Sequence, residues 1–431
     1  MNIVIVVEAY WPKQGAIENN TKCLAEKWKS HGHKITIFTG NPQNLITVEE
    51  RPEGVINRLD ALSDCLRNPI ESINNYRDLA SRIGKHDPDI IFATNHASAS
   101  AILAAKMLQV PVVYQLVGWG LVCTHGMRLL KPNQELCQNN RGRLACIRCQ
   151  FSATTRNSDD TSVMNKLRHI KWAAKKTLTD KKKFDNYEKI IASVDFHAWV
   201  SSVTQKNLPK TPGTIIPNGV DTVLFKPQPT RNNMRRGEQR EQYILTTSRI
   251  HEVKGLEYVV EALSKLPENI KLIIVGNSKL YNSEEKVEHN IHYEKLRQAI
   301  SKNNVTRRVI FTGFIERSKL VKLYGNAIAH VTPSIWWEPF GCVVTEALAC
   351  GTPVVVTNST GAKDLVKDGY NGFVVERKNA EQIADAIKKI MARGVTMRVN
   401  ARKTAVQQCS FEIVANKYIQ VFRKLVRRHE L

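Results

Sequence analysis

The strongest constraint on this chain is an alternation. Short apolar, β-branched runs trade places with stretches whose apolar residues recur at helical spacing. Asn2–Val7 is one such run; a loop with Pro12 and Gly15 follows, and Ala16–Ser30 reads as an amphipathic helix. Gly32 ends that helix, and Lys34–Thr39 reads as the next strand. Runs that are apolar at every position suit parallel strands covered on both faces, which need helical crossovers. The same grammar gives strand Asp89–Ala93, helix Ser98–Leu108, strand Pro111–Leu116 and sheet character at Ile190–Val200. Farther on it gives strands at Tyr243–Thr247, Lys271–Val275, Val309–Thr312, Ala327–Val331 and Pro353–Thr357. Helices are expected near Leu256–Leu266, Glu294–Lys302, Ser318–Asn326, Val343–Ala349 and Ala380–Arg393, with a basic amphipathic one at about Phe411–Arg428. The absence of a fixed-period repeat argues against a solenoid.

A chain of 431 residues is long enough for two or three cores. The stretch from Pro209 to Thr230, with Pro212, Pro217, Pro227 and Pro229, is the best hinge. Two successive halves predict an α/β protein of two doubly wound, Rossmann-like domains facing a cleft, with a nucleotide ligand at the carboxyl ends of the strands. The expected division is an amino-terminal domain over 1–212, a second domain over 213–405, and a terminal helix over 406–431 packing back on the first. Between Cys123 and about Glu188 the alternation breaks, which reads as an insertion.

Hydrophobic residues at 42% exclude a disordered chain. The formal charge of +23 asks for a polyanionic partner: nucleic acid, a membrane surface or a phosphorylated substrate. No apolar run is long enough to span a membrane, because Asn95, His96, Lys106 and Pro111 break the longest candidate. No basic segment precedes Ile3–Val7 and Glu8 follows at once, so no secretion signal is read there and a soluble, cytoplasmic protein is expected. Nine cysteines in such a chain point to free thiols or a metal site.

The string Glu338-Pro339-Phe340-Gly341-Cys342-Val343-Val344-Thr345-Glu346 carries the chemistry. Gly341 lets backbone approach a ligand, and the helix that starts there offers N–H groups to an anion. Glu338, in the loop, can accept from sugar hydroxyls; Glu346, on the helix, can hold ribose hydroxyls. Arg249 and Lys254, two cations of different geometry after a strand end, suit a diphosphate.

The whole string resembles the signature of glycosyltransferase family 4. Ser248–Gly255 resembles that family's phosphate-binding element, Pro217–Asp221 with Phe225 its interdomain segment, and Pro12–Glu18 with Gly32–Thr36 its amino-terminal loop and second strand. The resemblance implies the GT-B fold, a nucleotide-sugar donor (a UDP- or GDP-sugar), retention of anomeric configuration and no catalytic metal. It implies that Arg249 and Lys254 hold the diphosphate, Glu338 the donor sugar and Glu346 the ribose. Phe340, Gly341 and Cys342 would line the donor, the last two through backbone N–H groups. Thr312, Gly313 and Phe314 would cradle the base, Gly276 would stand at a strand end in the same cleft, and Gly15 would approach the diphosphate from the first domain. The acceptor would be a glycan or lipid-linked molecule in cell-surface glycan biosynthesis.

Two departures stand out. Val117 replaces the family's active-site histidine; His96 and His125 are the substitutes at hand, and weakened or partner-dependent catalysis is the alternative. Cys123, Cys137, Cys146 and Cys149 are shared with a subgroup of the family, and four thiolates can close a structural zinc site; reduced, partly buried thiols are the competing reading. Lys166, Arg168, Lys171, Lys175, Lys176, Lys181, Lys182, Lys183 and Lys189 form a basic stretch with Trp172 and Leu178 interleaved, suited to an anionic membrane or to a solvated helix face. A sugar-nucleotide epimerase on the same fold competes on the enzyme side. Nucleic acid is not the expected partner, because aromatics do not cluster with the basic residues.

Overall fold

In the computed structural model of the chain, strand β1 (Asn2–Val7) buries Ile3 to Val7 without a break, as a strand covered on both faces must. The structure describes residues 1–12, 15–41, 44–63, 75–119, 189–206, 211–228, 242–276 and 291–429, with positions 123, 129–130, 135–137, 149, 168, 171 and 187. They form two units: Met1–Pro217 with Val414–Leu431, and Asn218–Ile413.

In the first unit α1 (Ala16–Ser30) crosses from β1 to β2 (Lys34–Gly40), and β3 (Val48–Arg51) and β4 (Gly54–Leu59) follow. Next come α2 (Tyr76–Gly84), β5 (Ile90–Thr94), α3 (Ser98–Leu108) and β6 (Val112–Leu116). A two-strand pair, β7 (Leu129–Leu130) and β8 (Glu135–Leu136), lies outside the main sheet. Strand β9 (Phe196–Trp199), helix α4 (Ser202–Lys206) and β10 (Gly213–Ile215) complete the series. The sheet order is β10-β9-β6-β5-β1-β2-β4-β3, parallel except for β3 at the edge.

Helix α10 (Phe411–His429) returns to this unit from Val414 onward. Trp28 of α1 anchors it: the indole is fully buried and meets Phe92, Tyr418 and Phe422 edge-on at ring separations of 5.3, 5.7 and 5.2 Å. Its Nε1–H donates to the Ala415 carbonyl at 3.3 Å. A buried indole needs that partner, because an unmatched N–H would carry its desolvation cost.

The second unit comprises β11 (Gln242–Thr247), α5 (Leu256–Ser264), β12 (Ile270–Val275), α6 (Ile291–Lys302), β13 (Val309–Gly313) and α7 (Arg317–Asn326). It continues with β14 (His330–Thr332), α8 (Cys342–Ala349), β15 (Val354–Thr357), β16 (Gly372–Val375) and α9 (Ala380–Cys409). Its all-parallel order, β13-β12-β11-β14-β15-β16, is the Rossmann order 3-2-1-4-5-6. The core joins Ile244, Leu272, Ile274, Val331 and Val355 of the strands to Val259, Leu263, Ile383 and Ile387 of the helices.

Some expectations need correction. The segment read as sheet over Ile190–Val200 is a strand only from Phe196; positions 189–192 are helical. Between them Ser193 Oγ donates to the Ile190 carbonyl, and Asp195 accepts the Val112 N–H and pairs with Lys106, which fixes a turn where hydrophobicity alone suggested continuation. The strand expected at Ala327–Val331 is His330–Thr332, because Ala327 N–H still bonds back to Leu323 and Tyr324 of α7. Helix α9 runs past Arg393 through a break at Gly394, whose φ is +56°. Strands β3, β4 and β16 and helix α2 are additions that the alternation did not reveal.

Candidate donor site of the second unit

The order reverses between β11 and β14, so the carboxyl ends of these neighbouring strands form the topological switch point, where open α/β sheets bind ligands. The loop after β11 carries Arg249 and Lys254; the loop after β14 carries Glu338 and leads through Gly341 into α8. The two loops run at backbone distance. Ile335 N–H donates to the Val253 carbonyl at 2.9 Å. Gly255 has φ +63°, and a Cβ there would stand 2.2 Å from the Pro333 carbonyl oxygen. Only glycine allows this approach.

That approach brings Lys254 to Glu338. Lys254 Nζ donates to both carboxylate oxygens, at 2.6 and 2.9 Å. Ser334 Oγ and Trp336 Nε1 donate to Oε2 at 2.8 and 2.9 Å. The ammonium also lies 5.3 Å from the Trp336 ring centre, a cation–π distance. Burial pushes the Glu338 carboxyl up, but the Lys254 charge and the hydrogen bonds from Lys254, Ser334 and Trp336 hold it below the ordinary carboxylate value. The Ser334 carbonyl accepts from the hydroxyls of Thr357 and Ser359 at 2.6 and 2.9 Å, so the loop is braced from β15. Arg249, by contrast, is exposed, and among the described residues no carboxylate pairs with it.

Glu346 sits on α8. Arg317 Nη2 donates to its Oε1 at 2.9 Å and the Tyr324 hydroxyl to its Oε2 at 3.1 Å. Burial raises its carboxyl above the usual value despite both partners. Arg317 in turn lies over the Phe225 ring at 5.1 Å. Among the described residues each oxygen has one side-chain donor and can accept another.

Gly341 caps α8 with φ +99°. Cys342 opens the helix; its thiol accepts from Asn218 Nδ2 at 3.6 Å, and burial pushes it up to about 12, so it is no thiolate nucleophile. Phe340 is buried and its carbonyl accepts the Ala362 N–H, so it shapes the loop from inside. Gly276 has φ +136°, and a Cβ there would lie 2.0 Å from the Ser248 carbonyl oxygen; its N–H donates to Gly313. This glycine makes room for the Arg249 loop. Thr312 Oγ1 donates to the Gly313 carbonyl at 3.1 Å, Gly313 has φ +69° with open space around it, and Phe314 is 76% exposed. Gly15 caps α1 in the first unit, and a Cβ there would meet the Glu18 carboxylate.

Reading the sequence missed Ser334, Trp336, Arg317 and Tyr324. The spacing Ser334-x-Trp336-x-Glu338 carried the only available signal, three polar groups on alternate positions of an extended loop.

Residues 230–408 match the glycosyl transferases group 1 family. The chain is 30% identical over 228 residues to an uncharacterized glycosyltransferase of Methanocaldococcus jannaschii, covering 50% of this chain and 55% of that one. It is 27% identical over 251 residues to the GDP-mannose-dependent α-(1-6)-phosphatidylinositol monomannoside mannosyltransferase of Mycobacterium tuberculosis, covering 53% and 62%. The matches span about half the length of such curated relatives. Among solved structures, the sucrose-phosphate synthase of Thermosynechococcus elongatus superposes with a TM-score of 0.70 over 99% of both chains at 19% identity. Anabaena HepE in complex with UDP superposes with a TM-score of 0.68 over 98% of this chain and 100% of that one, at 18% identity. The fold is GT-B, built of two Rossmann-like units, and the stretch that matches the group 1 family lies mostly in the second.

The other sites read from the sequence are only partly in view. Cys123 and Cys137 are half-buried and Cys149 is buried, while Cys146 lies outside the described residues. Among the described residues no group of three or more His, Cys, Asp or Glu could hold a metal ion. Of the basic stretch, Arg168, Lys171 and Lys189 are described and exposed; Lys166, Lys175, Lys176, Lys181, Lys182 and Lys183 lie outside the described residues. Val117 is half-buried after β6. The His96 side chain and His125 are also outside the described residues. No helix among the described residues is long and apolar enough to cross a membrane.

Proposed function

We propose that the protein is a retaining glycosyltransferase that moves a sugar from a nucleotide sugar to a glycan or lipid-linked acceptor in cell-surface glycan biosynthesis. One observation carries this reading: Lys254, Glu338, the α8 amino terminus and Glu346 all belong to the loops and helix at the switch point of a 3-2-1-4-5-6 sheet. Arg249 and Lys254 neutralise the donor diphosphate. Glu338, held rigid by three donors, accepts from sugar hydroxyls with its remaining acceptor capacity, and Glu346 accepts from the ribose. Thr312, Gly313 and the exposed Phe314 flank the base.

In the retaining reaction the glycosidic C–O bond to the diphosphate breaks while the acceptor oxygen bonds to the same carbon on the same face. The acceptor proton passes to the departing phosphate. Catalysis then rests on positioning and on stabilising the charge that grows on the leaving group, which suits a site that offers Arg249, Lys254 and helix N–H groups. That HepE was solved with UDP favours a uridine donor, and the mycobacterial relative's name favours GDP-mannose. Thermal shift against UDP-, GDP- and ADP-sugars decides between them. A ligand at a hundred times its Kd adds about 2.7 kcal/mol of stability, a shift of a few degrees. No shift with any nucleotide sugar, together with no sugar transfer, would sink the proposal.

A further inference from the structure

Helix α10 presents two unlike faces. Val414, Ala415, Tyr418, Phe422 and Leu425 are buried in the first unit. The opposite face exposes Arg423, Lys424, Arg427 and Arg428, and among the described residues no carboxylate pairs with any of them. Arg423 and Arg427, and Lys424 and Arg428, are like charges at i,i+4, a spacing that weakens a helix when nothing neutralises it. The helix macrodipole favours the cations of the last turn, Arg427 and Arg428, but not Arg423 and Lys424 before it. Two open grooves run along the ridge. One, of about 410 Å³, lies among these four cations, and the other, of about 370 Å³, joins Arg423 to His31 and His33 at the end of α1.

We infer that this ridge is a docking surface for an anionic lipid bilayer. Charge complementarity selects an anion, and the shape selects its form. The helix is sunk along its whole apolar face, so it forms a low row of cations that a planar surface can meet, not a protruding rod that could enter a nucleic-acid groove. Its Phe411, Tyr418 and Phe422 are all buried, so no Phe, Tyr or Trp ring of the helix is left to stack on bases. No large apolar side chain of α10 is exposed for insertion, so the attachment is electrostatic and salt-sensitive. This surface is independent of the donor site and of the proposed reaction.

The test is co-sedimentation of the full chain with phosphatidylglycerol/phosphatidylcholine vesicles and with pure phosphatidylcholine vesicles, at low and physiological salt. The natural chain is expected to bind only the anionic vesicles. Each cation near such a surface is worth roughly a fivefold factor, so Arg423→Gln, Lys424→Gln, Arg427→Gln and Arg428→Gln together should weaken binding at least a hundredfold. A control with the same charge loss in the second unit, Lys319→Gln, Lys322→Gln, Lys388→Gln and Lys389→Gln, should bind as the natural chain does. So should Arg423→Lys, Arg427→Lys and Arg428→Lys, which keeps the ridge charged and reports on folding. Unchanged binding by the glutamine ridge variant, equal loss in the control, loss in the lysine variant, or tighter binding to a DNA duplex than to vesicles would each overturn the inference.

Discussion

Lys254 Nζ stands 2.6 Å from Glu338 Oε2, although 84 residues separate them in sequence. Both side chains are largely buried, with 15% and 13% of their surface exposed. Each therefore depends on the other for charge compensation. Lys254→Met leaves a buried carboxylate without its cation and is expected to cost roughly 3–5 kcal/mol. The double variant Lys254→Met/Glu338→Gln should recover much of that loss. Urea unfolding of the two single variants and the double variant measures the coupling, and additive losses would show that the pair does not act as a unit.

The same pair sets a pH dependence. The Glu338 carboxyl is held below its ordinary value in the folded protein. Its contribution is thus fully present above the unfolded carboxyl value of about 4.3 and is lost as pH falls through the lower folded value. Glu346 has the opposite sign: its raised folded value makes ionisation a cost that appears as pH rises past the unfolded value. Stability profiles between pH 3 and 7 should therefore be steeper on the acid side for the natural chain than for Glu338→Gln. Parallel profiles would contradict the assignment.

Glu346→Gln separates binding from folding. Arg317 is 38% exposed and water can solvate it when the carboxylate is gone. Unfolding free energy at pH 7 should change by less than about 1 kcal/mol, while nucleotide affinity, which loses a charged acceptor, should drop roughly tenfold to a hundredfold. Calorimetric titration with UDP and GDP reads the second effect; unchanged affinity for both would remove Glu346 from the donor site.

Two glycines of similar appearance should respond differently. Gly313→Ala meets open space at φ +69° and should cost about 1–2 kcal/mol. Gly276→Ala adds a clash 2.0 Å from the Ser248 carbonyl oxygen and should cost more, while displacing the Arg249 loop. Equal losses in chemical denaturation would mean that the loop yields freely.

Trp28 holds α10 by both packing and a hydrogen bond. Trp28→Phe keeps a ring but removes the donor to Ala415 and should cost about 1–3 kcal/mol; Trp28→Ala should cost about 3–5 kcal/mol. Amide exchange across Tyr418–Leu425 should accelerate in the alanine variant, and unaltered protection there would mean that other contacts hold the helix.

Much of this protein was legible in the order of its residues. The helix over Ala16–Ser30 follows from its amphipathic spacing, while the strand at Asn2–Val7 follows from an unbroken β-branched run and the helix over Ser98–Leu108 from its place between two such runs. The string from Glu338 to Glu346 likewise marks a candidate site, since a glycine, a helix start and two carboxylates fall within one short segment, and the structure gives that glycine a positive φ. What the order of residues did not disclose is who neutralises whom. That Lys254 closes on Glu338 and that Trp336 serves both depend on strands β11 and β14 lying side by side although α5, β12, α6, β13 and α7 come between them in sequence; that Arg317 and Tyr324 claim Glu346 depends on α7 meeting α8. The same holds for the strong positive charge: the sequence counted the cations, but packing Tyr418 and Phe422 against Trp28 is what turns Arg423, Lys424, Arg427 and Arg428 outward together. Local patterns fix elements because a side chain's burial repeats with its backbone period; partners across the fold are fixed only when distant segments meet.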